Sequence, residues 1–106
     1  MGFFSSRNGA FAPETLGGEE LRRRMRELCA KRSTGRWHLE WSGETSDLYL
    51  LFGAVFHAEA SDGAVGEAVV MSALEGGRPA LATFDPRAKL PRATSISDPK
   101  AFTAAL

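Results

Sequence analysis

Between Arg36 and Ala60 lie three short runs bounded by turn residues, the first of which alternates apolar and polar residues at every second position. A helix of 3.6 residues per turn scatters such a pattern around its circumference, whereas a strand gathers it onto one face. The segment therefore reads as an antiparallel meander. In its first strand Trp37, Leu39 and Trp41 alternate with Arg36, His38, Glu40 and Ser42. A turn over Gly43-Glu44-Thr45-Ser46 leads into a second strand from Asp47 to Leu51, and a third runs from Ala54 to Ala60. With Gly53 as the left-handed residue of a bulged three-residue loop, Ala54, Phe56 and Ala58 join Leu48 and Leu50 on the buried face. The opposite face then carries His38, Glu40, Tyr49, Leu51, Val55, His57 and Glu59. A two-residue turn is rejected, because it would carry His57 and Glu59 into the core.

Helical patterns flank the meander. From Glu19 to Arg32, Leu21, Met25, Leu28 and Cys29 fall on one stripe and Arg22, Arg23, Arg26 and Glu27 on the other side, with Gly35 expected to stop the helix. Ala64 to Glu75 reads as a second helix with a thin stripe of Val65, Ala68, Val69, Ser72 and Ala73. Ala80 to Phe84 is a further strand and Thr94 to Ile96 a short extended piece. Asp98 and Pro99 then open a terminal helix, as a side-chain cap and a first-turn proline. The expected class is α+β: helix, three-stranded antiparallel meander, helix, further strand, short C-terminal helix. Residues 1–12 lack either period and read as an arm whose Phe3, Phe4 and Phe11 would pack over the core or a partner, and residues 13–106 as a single domain.

A chain of 106 residues is long enough for one hydrophobic core, and 43% hydrophobic with 25% charged residues is ordinary for a globular protein. Thirteen basic residues balance thirteen acidic ones, so there is no broad positive field to neutralise phosphates, and no nucleic-acid partner is expected. Apolar runs fall well short of the ~20 residues that span a bilayer, so no membrane partner is expected. The single Cys29 cannot form an internal disulfide, which suits a reducing, cytoplasmic setting.

No residue pattern carries reaction chemistry. Ser42, Asp47 and His57 fall in one row of the expected meander, but with Asp47 between the other two, whereas a base histidine must stand between nucleophile and acid. A structural contact between His57 and Asp47 is the better expectation. His38 and His57 lie four positions apart along the strand direction, roughly 13 Å, too far to share one metal ion. Gly17-Gly18 and Gly76-Gly77 lack the strand and lysine of a phosphate loop. The expectation is therefore no catalytic residue, no metal and no cofactor.

Thr34-Gly35, Leu39, Leu48-Tyr49, Gly53, Val55-Phe56-His57-Ala58 and Gly66-Glu67-Ala68 together resemble the PATAN domain family, over roughly residues 15 to 100. The resemblance implies a bacterial signalling or adaptor module that works through protein contacts, often beside receiver domains, without cofactor chemistry. One departure stands out: where that family usually carries polar residues around the glycine turn, this chain has Leu51, Phe52, Gly53 and Ala54. A phenylalanine at a hairpin tip is hard to bury within its own domain unless the arm or the last helix covers it. Tyr49, Leu51, Phe52 and Val55 are thus expected to form a contact patch for a signalling protein or for a second copy in a homodimer. The alternative function is a small-ligand sensor with its pocket between helix 64–75 and the sheet.

Overall fold

The computed structural model describes residues 13–106. In chain order the elements are β1 (Glu14–Leu16), α1 (Gly18–Ala30), β2 (Gly35–Trp41), β3 (Glu44–Leu51), β4 (Ala54–Ala60), α2 (Glu67–Glu75), β5 (Ala80–Asp85) and α3 (Pro99–Ala104). The strands form one antiparallel sheet in the order β1-β5-β2-β3-β4. The chain is α+β, and the meander makes up one side of the sheet while β5 returns to pair with the free edge of β2. β1, only three residues long, is an addition: a segment that short shows no period. The expected packing of Phe3, Phe4 and Phe11 lies outside the described residues.

One face of the sheet is covered by helices. Leu21, Met25 and Leu28 of α1 and Val69, Val70, Ala73 and Leu74 of α2 meet Trp37, Leu39, Leu48, Leu50, Val55 and Ala82 of the strands. Each fully buried Leu or Val contributes about 1.5–3 kcal/mol relative to exposure, so this face is where the fold draws its stability. α2 begins three residues later than expected, and Val65, Ala68 and Ser72 are exposed; Val70 and Leu74 take their place on the buried stripe.

Both turns of the meander correct the expected register. The first is the two-residue Ser42-Gly43, so β3 starts at Glu44 and Asp47 stands opposite His38. Glu44, Thr45 and Ser46 looked like turn residues because they are polar, yet their backbone groups pair with β2. The second is the two-residue turn that sequence reasoning rejected, Phe52-Gly53. A bulge restores the parity: Tyr49 pairs with His57 but Leu50 with Val55, leaving Phe56 as the extra residue. His57 and Glu59 therefore stay off the helix-covered face, while Val55 enters the core and Phe56 leaves it.

β4 is an edge strand, but its outward backbone groups are taken. Val55 N–H donates to Thr103 Oγ1 (3.0 Å) and Ala58 N–H to Ser95 Oγ (3.2 Å), while Phe56 O accepts from Ser95 and Ile96 N–H (3.1 and 3.3 Å). α3 and the strip before it thus seal the edge against pairing with another chain. Ile96 adds a side chain to the core, and Phe102 and Leu106 pack against it.

Candidate functional site

The exposed apolar end of the β3–β4 hairpin is built by the end of α1. That helix stops at a left-handed Arg32 (φ 55°), with Arg32 N–H donating to Cys29 O and Ser33 N–H to Leu28 O, both at 3.0 Å. This is the six-to-one closure of a helix C-terminus, so the stop is Arg32 rather than the expected Gly35. Gly35 serves a different need: a Cβ there would lie 2.4 Å from Asp85 O, so a glycine is required for the close approach of β2 to the end of β5.

The two residues that follow Arg32 then hold the hairpin tip. Gly53 N–H donates to Ser33 O (2.9 Å) and Phe52 N–H to Thr34 Oγ1 (2.8 Å). Gly53 lies against α1, where a Cβ would come within 2.5 Å of Cys29 O, and its φ of 85° suits glycine. Phe52 also has a positive φ, 49°, so the turn has the left-handed pair of a type I′ hairpin, with phenylalanine where asparagine or glycine is favoured. Phe52 is 73% exposed and its neighbour Leu51 is 44% exposed. The backbone is clamped and the ring is presented.

Beside the ring runs an open groove of about 980 Å³ between the end of α1, the tip and α3. Its apolar lining comes from Leu51, Phe52, Ala54, Phe56, Pro99 and Ala104. Cys29 adds a thiol whose pKa burial pushes above its ordinary value, so it is neutral at physiological pH. Arg32, Lys100 and Asp98 are the charged residues of the lining. Asp98 is occupied as the cap of α3, accepting from Ala101 N–H at 3.2 Å. Among the described residues Arg32 and Phe52 are the two non-glycine residues with positive φ, and both line this groove. Backbone strain of this kind costs on the order of 1–3 kcal/mol per residue and concentrates at functional sites.

The four residues expected to form a contact patch are thus divided. Leu51 and Phe52 are exposed at the tip. Val55 is fully buried in the core, because the bulge turns it inward, and Tyr49 is 8% exposed. Neither reaches the groove. α3 lies along the groove without covering Phe52. Cys29, Arg32, Lys100 and Thr103 of the lining were not singled out from sequence, since no local pattern reports that residues about 50 positions apart in the chain meet at one hairpin tip.

The other face of the sheet carries the ionisable residues. His38 Nδ1 lies 2.6 Å from Asp47 Oδ1, so Asp47 pairs with His38 and not with His57. His57 instead places Nε2 3.3 Å from Glu59 Oε2 and its ring 5.7 Å from that of Tyr49. Ser42 is in a turn, so Ser42, Asp47 and His57 share no row. The histidines are two positions apart along the strand direction rather than four, but they are also two strands apart, so roughly 12 Å separates them. Among the described residues no group of three or more His, Cys, Asp and Glu side chains is placed to hold a metal ion. The Tyr49 phenol is held above its ordinary pKa by burial first and by Asp47 and Glu59 next, with Arg36 opposing.

Between α2 and the sheet there is a second cavity of about 250 Å³, lined by Trp41, Ser46, Ala60, Ser72 and Arg78 among others. That is below the roughly 300–1,000 Å³ of sites that enclose a small ligand. Arg78 closes one side, its guanidinium 5.3 Å from the Trp41 ring and paired with Glu44 at 3.2 Å.

No protein-family model, curated protein or solved structure matches the chain. Among the described residues no helix is long and apolar enough to cross a membrane.

Proposed function

We propose that this chain is a non-catalytic protein-interaction module of a bacterial signalling or regulatory system, and that it binds through the groove at the β3–β4 tip. The observation that carries this is Phe52: a large apolar residue, 73% exposed, on a strained turn whose two N–H groups are bonded to Ser33 and Thr34 just after α1. An aromatic residue whose backbone is held before binding gives up less conformational freedom on association than one on a mobile loop, which favours its acting as an interface anchor. The signalling setting follows the PATAN resemblance, and of the residues that carry it, Gly35 and Gly53 have structural duties in the joints described above. Specificity for a partner therefore rests on Leu51 and Phe52, where the chain departs from that family.

The test is Phe52→Asp, followed by light scattering for mass in solution and by partner recovery from the natural host. Loss of a captured partner or of a dimer supports the proposal. Unchanged mass together with unchanged recovery would refute it.

A further inference from the structure

We infer that the occupant of the groove is an amphipathic helical segment of a partner protein whose apolar residues are flanked by Asp or Glu. The inference rests on the groove being the contact surface. Its mode follows from the edge of β4. An extended peptide would need free outward backbone groups there, and Val55 N–H, Phe56 O and Ala58 N–H are already bonded to Thr103, Ser95 and Ile96. Strand addition is closed off, so affinity comes from side chains set into the groove, the way a helix lays an apolar stripe into a cleft.

Its charge follows from the rim. Arg22, Arg24, Arg36 and Arg78 all have carboxylate partners within 4 Å. Arg32 and Lys100 are among the basic side chains that have none among the described residues, and Asp98, the acidic residue of the lining, caps α3. The lining therefore carries a net positive charge, two cations against one carboxylate, beside its apolar side chains. Residues 1–12 contain Arg7 and no acidic residue, so that segment would bring positive charge to a positive rim. A second copy docked groove to groove would bring a lining of the same net positive sign against this one. Only a partner with acidic flanks complements both the floor and the rim.

The experiment is selection of random linear peptides displayed on a library, against the full chain as wild type, as R32E/K100E, as K100E alone and as F52D, each checked for a cooperative thermal melt. We expect wild type to enrich peptides with apolar residues at helical spacing and Asp or Glu at their ends, and R32E/K100E to enrich Lys or Arg ends instead. K100E alone should show an intermediate preference, and F52D should enrich nothing. A selected acidic peptide, followed by fluorescence anisotropy, should bind R32E/K100E at least about tenfold more weakly than wild type. Apolar peptides enriched without charge preference, and lost with F52D, would overturn the acidic-flank inference and leave the groove standing. No enrichment on wild type, or enrichment indifferent to F52D, would overturn both.

Discussion

The two hairpin tips of the meander have the same length and the same second residue, yet they are built to different ends. Ser42-Gly43 joins β2 to β3 with glycine at φ 78°, serine outside the left-handed region, and nothing within 4 Å of the position a Cβ would take. Phe52-Gly53 joins β3 to β4 with both residues left-handed, and its glycine is wedged against Cys29 O. The first tip is a solvated reversal of the chain. The second is a joint: Ser33 and Thr34, just after the end of α1, accept its two backbone N–H groups and hold the turn in place. What the difference teaches is that a strained, exposed aromatic side chain is tolerated where neighbouring structure holds its backbone, so the strain at Phe52 is local and its cost is offset by the contacts behind it.

Four substitutions test that contrast. Gly53→Ala should cost at least about 2 kcal/mol, because a left-handed alanine is disfavoured and its methyl group meets Cys29 O, whereas Gly43→Ala should cost about 1 kcal/mol from conformation alone. Urea denaturation of the two variants reads the difference, and equal losses would mean that the second tip is not wedged. Thr34→Val removes the acceptor for Phe52 N–H while keeping the side-chain shape. It should cost on the order of 1 kcal/mol and should loosen the tip, seen as faster amide exchange at Phe52 and Gly53. Phe52→Asn converts the turn to the favoured Asn-Gly pair, so stability should stay level or rise by up to about 1 kcal/mol even as contact with a partner is lost. A loss of more than that amount in thermal melts would show that the ring packs within its own chain, and the contrast between the tips would collapse.

Much of the fold was legible because it follows from local rules. The alternation from Trp37 to Trp41 specifies a half-buried strand, the spacing of Leu21, Met25 and Leu28 specifies one face of a helix, and Asp98-Pro99 offers a side-chain cap and a first-turn proline. Register was less legible, since it depends on counting through turns. Reading Glu44 to Ser46 as a loop moved Asp47 away from His38, and omitting a bulge at Phe56 exchanged Val55 with Phe56. A bulge leaves no mark in composition, because any residue can be the extra one. The site was half legible: Leu51 and Phe52 were conspicuous as apolar residues at a turn, whereas Val55 was misassigned by the same register error and Tyr49, on the face expected for it, is buried beside Phe56 and His57.

What the linear order of residues settles here is the kind of element each segment forms and the presence of an apolar hairpin tip between β3 and β4. These are properties of neighbours along the chain. The groove is of another kind, since it exists because α1 ends in a left-handed turn beside the tip and α3 seals the edge of β4 about 50 residues further on. Which side chains line it, and that Arg32 and Lys100 stand there without carboxylate partners among the described residues, depends on packing between distant segments. No spacing along the sequence carries that information, because burial in the core is largely indifferent to the order in which segments arrive.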